Sequence, residues 1–267
     1  MSDALRKARG APRGRAAWAV LAAALAVLPG ASGAATPVPG ADPAPEALLR
    51  AADAPRRVIE EGAIHVRATV EEPGSGPVVS DLEVFVRGED QVLCVFRSGP
   101  FSGRRILSVG SKVWLLFPDT TRPVPVSASQ RLLGGASIAD VARLRFAADF
   151  EATLRPEREE AGGASCYVLD LKARDRKVPY ASGVLWVGAA DRLPRRAIFR
   201  LRSGIDAKEV RFERYERTAR GSALRREEIV HLLPNERGMK TTLEYLGAEA
   251  RTLDAALFTP EHADDPL

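Results

Sequence analysis

The sequence predicts a mainly β fold with a few helices (α+β), in which one curved antiparallel sheet forms a barrel or half-barrel. Apolar and polar residues alternate with period two in short segments between residues 64 and 246, as is typical of strands. Turn residues separate these segments at short intervals, so we expect neighbouring strands to pair as hairpins. Segments 113–117 and 184–187 are apolar on both faces, so a second apolar surface must also leave water or line a cavity.

The first 35 residues are predicted to be a signal peptide that is cleaved on export to the periplasm. Five basic residues precede an apolar core at 16–28, which is too short to span a bilayer comfortably. Small residues follow, and cleavage after Gly33 or Ala35 fits their pattern. An uncleaved membrane anchor is the alternative interpretation.

The charge of the chain depends on this segment. The full sequence has 39 Lys and Arg residues against 35 Asp and Glu residues. Residues 1–35 hold five of the basic residues and one of the acidic ones, which leaves 34 of each in the mature chain. A neutral mature chain lacks the excess positive charge of nucleic-acid-binding domains, so no nucleic-acid partner is expected.

Residues 36–45 are rich in proline and are predicted to be a linker, and residues 46–267 are predicted to form a single domain. That domain should open with a helix over 46–61, which Pro55 would kink. The apolar side of this predicted helix consists of Leu48, Leu49, Ala52, Val58 and Ile59.

Twelve strands are predicted from the period-two pattern and the turns between its segments. They cover residues 64–71, 78–87, 91–97, 104–109, 112–117, 150–154, 165–173, 181–187, 195–202, 208–217, 224–233 and 239–246. Between them, residues 118–135 form a long connection with three prolines. A helix over 138–147 is predicted next, with Ser137 as its N-cap and Asp140 as a favourable acid in its first turn.

No constellation of catalytic or metal-binding residues is visible. His65, His231 and His262 have no second histidine or cysteine at ligand spacing, so neither a metal nor another cofactor is expected. Residues 135–139 only approximate a nucleophile elbow, and Ser137 is better explained as a helix cap, so no enzyme is predicted. Cys94 and Cys166 could form a disulfide in an exported protein or remain two separate buried thiols, and both interpretations stay open.

Several motifs resemble one periplasmic family, the outer-membrane lipoprotein-sorting proteins related to the LolA and LolB lipoprotein carriers. The central motif is G-x-x-I-L-x-V-G-x-x-x-W-L-x-F-P at residues 103–118. Supporting motifs are SQRLLG at 129–134, DVAR at 140–143, CYVLDL at 166–171, KTTLEY at 240–245 and LFTP at 257–260. The resemblance covers residues 45–260, which is nearly the whole mature chain.

This resemblance implies a LolA/LolB-like incomplete barrel with helices across its mouth, and it implies transport of lipid-modified proteins or other lipids through the periplasm. Its implied partners are a lipoprotein or lipid cargo, an inner-membrane transporter of the RND or ABC type as donor, and an outer-membrane acceptor. A periplasmic lipid sensor or adaptor for a membrane transporter is the alternative function.

A carrier of acyl chains needs a dry groove, since exposing each methylene to water costs about 0.8 kcal/mol. The predicted groove consists of seven apolar strand residues: Trp114, Leu116, Val95, Leu107, Trp186, Phe199 and Phe212. A shift of one residue in register would turn each of them to the other face of the sheet. The predicted lid is residues 118–147, with functional positions at Ile138, Val141, Leu144, Arg131 and Arg143.

Overall fold

The computed structural model describes residues 42–118, 120, 122–127, 129, 131–133, 136–137, 140 and 144–262, with only the backbone of 131–133. The chain divides into two units after Ala41, and the described residues belong to the second, Asp42–Leu267. The signal peptide and most of the linker lie outside the described residues, so both stay predictions.

Strands make up most of the described chain, and all twelve predicted strands are present with boundaries within four residues of those expected. The strands are β1 (Glu61–Glu71), β2 (Val78–Arg87), β3 (Gln91–Phe96), β4 (Arg105–Val109), β5 (Lys112–Leu116), β6 (Val124–Val126), β7 (Arg131–Leu133), β8 (Ala136–Ser137), β9 (Phe150–Leu154), β10 (Glu159–Ala161), β11 (Ala164–Ala173), β12 (Ser182–Gly188), β13 (Pro194–Arg200), β14 (Asp206–Thr218), β15 (Gly221–His231) and β16 (Lys240–Ala250). The α-helices with described bounds are α1 (Pro45–Asp53) and α2 (Phe146–Asp149). Short 3-10 helices cover Ala54–Arg56, Pro234–Glu236 and Ala255–Phe258.

Fourteen of these strands form one antiparallel sheet. Its order is β10-β11-β12-β13-β14-β15-β16-β1-β2-β3-β4-β5-β6, with β9 also paired to β11, while β7 and β8 pair only with each other. The first and last long strands, β1 and β16, are neighbours and join the two runs of hairpins. Because β6 at one edge does not pair with β9 or β10 at the other, the sheet is an open barrel, and the predicted fold class is confirmed.

Period-two alternation sets which residues face inward. In β1, Val66 and Ala68 are buried whereas His65 and Arg67 are exposed. Across the β1–β2 ladder, Val66 lies opposite Leu82 in a register that runs unbroken along both strands. One face of the sheet is therefore mainly apolar, and we call it the inner face.

The inner face packs against α1 and α2 in the main core. Leu48, Leu49 and Ala52 lie on one side of α1 and are fully buried, as expected for an amphipathic helix. From α2, Phe146 stacks on Phe199 of β13, with 6.2 Å between ring centroids. These contacts fix both helices over the sheet.

The opposite, outer face of the sheet carries two smaller apolar clusters. Leu253 and Phe258 of the C-terminal segment cover the first, which contains Ala63, Phe85, Leu93, Val95, Leu107 and Leu116. The second lies beside β10 and contains Ala161, Cys166, Val168, Val184 and Trp186. Strands β5 and β12 are apolar on both faces because their outer faces are covered by these other parts of the chain.

The first helix is shorter than predicted. Helix α1 ends at Asp53, a 3-10 turn follows over Ala54–Arg56, and the chain is already in β1 at Glu61. Pro55 explains the change, because proline removes a helical hydrogen bond and its ring collides with the preceding turn. Val58 and Ile59 still pack against the main core, but from outside a helix.

The structure also differs from the prediction of a helix over 138–147. Asp140 is helical as predicted, but Leu144 and Arg145 are not, and α2 runs from Phe146 to Asp149. Its start is fixed by Asp53, whose carboxylate accepts hydrogen bonds from the backbone N–H groups of Phe146 (2.8 Å) and Ala147 (2.9 Å). Positions 138, 139 and 141–143 lie outside the described residues.

The predicted connection at 118–135 contains short strands. Strand β6 pairs with β5, and β7 pairs with β8. Ser137 closes β8, and its N–H and Oγ both donate to Oδ2 of Asp140, at 2.7 and 2.8 Å. The predicted cap residue is thus bonded to the acid predicted for the first turn of the helix, with Asp140 as the acceptor.

Candidate functional site

A cavity of about 250 Å³ lies between the inner face of β1–β4 and the segment 144–149, and we call it the inner cavity. One wall is apolar and consists of Ile59, Ile64, Val66, Val84, Val86, Val92 and Leu144. β-Branched residues dominate this wall because they suit the pleated surface of a sheet. Such a surface is suited to the hydrocarbon part of a ligand, since polar atoms there would be left without hydrogen-bond partners.

The buried end of the inner cavity is built around Arg56. Its Nη1 donates to the backbone carbonyl of Leu144 at 3.0 Å, and its Nη2 donates to the carbonyl of Asp140 at 3.4 Å. Burial lowers the pKa of Arg56, but the neighbouring Glu227 and Tyr245 raise it more, so the guanidinium stays charged. One arginine from the α1–β1 connection therefore holds the segment that covers the cavity.

Glu227 supplies the counter-charge for this arginine. It is buried in β15, and its Oε1 accepts a hydrogen bond from the Tyr245 hydroxyl at 2.8 Å. Burial raises the pKa of Glu227, while Arg56 and the Tyr245 hydroxyl act in the opposite direction. Without Arg56 the carboxylate would be buried without a cation, which is strongly destabilising.

A second polar cluster surrounds Asp140, four residues before the segment 144–149 that covers the cavity. The carboxylate accepts from Ser137, from the Tyr180 hydroxyl at 2.7 Å and from the Lys208 ammonium of β14, and all four side chains are buried. Burial alone would raise the pKa of Asp140, but the ammonium of Lys208 and the hydrogen bonds from Ser137 and Tyr180 lower it. Asp140 and Arg56 together form what we call the polar latch.

The solvent-exposed rim of the inner cavity carries two arginines and a shared glutamate. Glu89, in the β2–β3 turn, contacts Nη1 of Arg57 at 3.4 Å through Oε1 and Nη1 of Arg145 at 3.3 Å through Oε2. The Glu89 side chain is 71 % exposed, against 41 % for Arg57 and 31 % for Arg145. One carboxylate therefore bridges the two arginines.

The structure separates the seven predicted groove residues, and the inner cavity has a different lining. Val95, Leu107, Leu116 and the half-buried Trp114 belong to the outer cluster under the C-terminal segment. Trp186 lies in the cluster beside β10, and its indole N–H donates to Glu159 at 2.8 Å. Phe199 and Phe212 are in the main core, where both contact Phe146. As a lipid groove, the set of seven remains a prediction.

Of the five predicted lid positions, Leu144 is buried and lines the inner cavity. Arg131 lies in β7, where only the backbone is described, and Ile138, Val141 and Arg143 lie outside the described residues. Sequence analysis missed Arg56 and Lys208. No spacing rule points to either, because each reaches a residue far away in the chain.

The two cysteines are free thiols in different clusters. Cys94 is buried in the main core, and Cys166 is buried beside β10. Of the two interpretations left open, the structure has the separate thiols. Burial raises the pKa of the Cys94 thiol to about 12, so this group is inert as a nucleophile at neutral pH.

Solved structures with the same fold place the protein in a class. A LolA superfamily protein from Nitrosomonas europaea is 26% identical with a TM-score of 0.72, over 80% of this chain and 96% of that one. An outer membrane lipoprotein-sorting protein domain from Vibrio parahaemolyticus is 16% identical with a TM-score of 0.68, over 82% of this chain and 97% of that one. A DUF1329 family protein from Desulfovibrio piger is 17% identical with a TM-score of 0.66, over 80% and 95%. The protein is thus a LolA-like open barrel, as its motifs indicated.

The family itself is defined by sequence. A family model described as an uncharacterized protein matches residues 88–262, and the chain belongs to that family. A search of curated proteins finds no match.

Proposed function

We propose that this protein is a periplasmic carrier that binds acyl chains of lipoproteins or other lipids in the inner cavity and moves them toward the outer membrane. The observation that carries the proposal is the pairing of an apolar cavity wall with a covering segment held by polar contacts. The donor in this proposal is an inner-membrane transporter of the RND or ABC type, and the acceptor is at the outer membrane. No chemical step is assigned to the protein.

The size of the cavity supports opening on loading. At about 250 Å³ it is slightly smaller than the roughly 300–1,000 Å³ of typical small-molecule pockets. A long acyl chain therefore needs more room than the closed form offers. The covering segment is the part expected to move, because the apolar wall opposite it belongs mainly to the paired strands β1, β2 and β3.

The energies involved are compatible with such opening. Burying a 16-carbon chain is worth on the order of 10 kcal/mol, at about 0.8 kcal/mol per methylene. The two hydrogen bonds from the charged Arg56 are worth about 1.5–3 kcal/mol each. Cargo binding can therefore offset release of this part of the polar latch, and reforming the bonds favours unloading.

Lipid uptake by delipidated protein tests the proposal. We expect acylated species to co-purify from the periplasm in native mass spectrometry, and a fluorescent lipid to bind with one-to-one stoichiometry. Val86→Phe, which fills the cavity wall, should reduce this binding, whereas Ile205→Phe at an exposed loop position should not. If no acylated species co-purifies and the delipidated protein takes up no lipid, the carrier function is contradicted. Uptake without transfer to acceptor vesicles would favour the lipid sensor.

A further inference from the structure

The rim of the inner cavity has a feature that a purely apolar cargo would not need. Arg57 and Arg145 come from two separate parts of the chain, the α1–β1 connection and the residue before α2. Both line the cavity and both contact the same carboxylate, that of Glu89. Guanidinium groups bind carboxylates well because their planar N–H groups match the two oxygens.

The hold of Glu89 on these arginines is weak. All three side chains are partly exposed, and exposed ion pairs contribute only about 0–1 kcal/mol. Glu89 also lies in a hairpin turn next to Gly88, whose φ of 63° places it in the left-handed region typical of tight turns. A carboxylate brought by a ligand can therefore replace that of Glu89 at little cost.

Three other acids, Asp53, Asp90 and Asp149, also line the cavity, and two of them are already bonded to backbone N–H groups. Both oxygens of Asp53 accept backbone N–H groups of α2, and Asp149 accepts the backbone N–H of Arg145 at 2.8 Å. Asp90 is exposed in the same turn as Glu89. Displacing the Glu89 carboxylate leaves Arg57 and Arg145 as the cations of the rim, while Arg56 lies at the buried end of the cavity and is bonded to backbone carbonyls.

We propose that the inner cavity takes a free fatty acid, with its carboxylate between Arg57 and Arg145 in place of Glu89 and its chain along Val84, Val86 and Val92. This inference rests on the proposed function, because it requires the cavity to hold an acyl chain. It adds the headgroup that the rim selects: an anion with the two-oxygen geometry of Glu89, in preference to a neutral ester.

Displacement of a neutral fluorescent probe, N-phenylnaphthylamine, tests the headgroup separately from the chain. The competitors are decanoate, its methyl ester and decyl phosphate, at mildly alkaline pH. We expect decanoate to compete several-fold better than the methyl ester, because its carboxylate gains two partly exposed ion pairs that the ester cannot make. Glu89→Gln should strengthen decanoate binding several-fold, and the double variant Arg57→Gln/Arg145→Gln should lose the preference. Arg50→Gln, on the exposed side of α1, is the matched control.

Each of the following results would contradict the inference. Equal competition by decanoate and the methyl ester would remove the headgroup site and leave the acyl carrier intact. Tighter binding of decyl phosphate would reassign the rim to phosphate-headed lipids. Displacement by none of the three would remove both this inference and the proposed cavity. A preference that survives in the double variant would place the carboxylate elsewhere, and circular dichroism of each variant confirms that it is folded.

Discussion

The Arg56 guanidinium donates a hydrogen bond of 3.0 Å to the carbonyl of Leu144, across 88 residues of sequence. The donor lies between α1 and β1, and the acceptor lies in the segment that covers the inner cavity. A backbone carbonyl can accept from any donor that reaches it, so the contact depends on the position of the chain and not on the identity of residue 144. Moving the covering segment away from the sheet must break the hydrogen bond between Arg56 and Leu144.

Replacing this arginine should loosen the covering segment. Arg56→Lys keeps a positive charge beside Glu227 but cannot reach both carbonyls with a planar fork. Hydrogen bonds from charged groups are worth about 1.5–3 kcal/mol, so we expect amide exchange in Phe146–Asp149 to accelerate by about ten-fold or more. Hydrogen-exchange mass spectrometry measures this. Arg57→Lys is the neighbouring control, and equal protection in both variants would contradict a latch at Arg56.

The Asp140 end of the latch should depend on pH. Its folded-state pKa is lowered below the ordinary value of 3.8, so the ionised carboxylate stabilises the fold fully above 3.8. That contribution is lost as pH falls through the lowered pKa. We therefore expect the difference in unfolding free energy between the natural protein and Asp140→Asn to be constant at neutral pH and to shrink in acid below 3.8. Urea titrations across this range measure it, and a difference that grew in acid would contradict the assignment.

The two faces of the sheet should respond differently to substitution. Leu107 is fully buried in the outer cluster, so Leu107→Ala should cost about 2–5 kcal/mol of stability while lipid uptake by the folded fraction stays normal. Val86 lines the inner cavity and is only half-buried, so Val86→Phe should block uptake at a smaller cost in stability. Thermal unfolding and probe binding on the same samples separate the two effects. Loss of uptake in Leu107→Ala would instead indicate that the residues of the outer cluster form the lipid groove.

The two thiols should be unreactive toward thiol reagents in the folded protein. Cys94 and Cys166 are buried and unpaired, and burial raises the pKa of each. We expect almost no reaction with a thiol reagent under native conditions and two equivalents per chain in denaturant without reductant. A denatured chain with no reactive thiol would indicate a disulfide instead.

The strands and the open barrel could be predicted because their signals are local. Alternation in β1 or β2 depends on the sequence of that strand, and the turn at Gly110 is marked by a residue that tolerates the left-handed conformation, with φ of 55°. Helix α1 was predicted with its buried Leu48 and Leu49, although Pro55 ends it earlier than expected. Short strands such as β6 and β10 were missed because three residues are too few to show a period.

The sequence by itself determined that this chain forms an open antiparallel barrel with apolar residues on both faces of some strands. Only the tertiary structure decided which face holds a cavity. Val95, Leu107 and Leu116 are as apolar as Val84, Val86 and Val92, but the C-terminal segment packs against the first set, whereas the second lines open space. Likewise, nothing near Arg56 in sequence indicates Leu144 or Glu227 as its partners. Period-two patterns specify that a face is buried, but what buries it depends on distant segments that meet only when the chain folds.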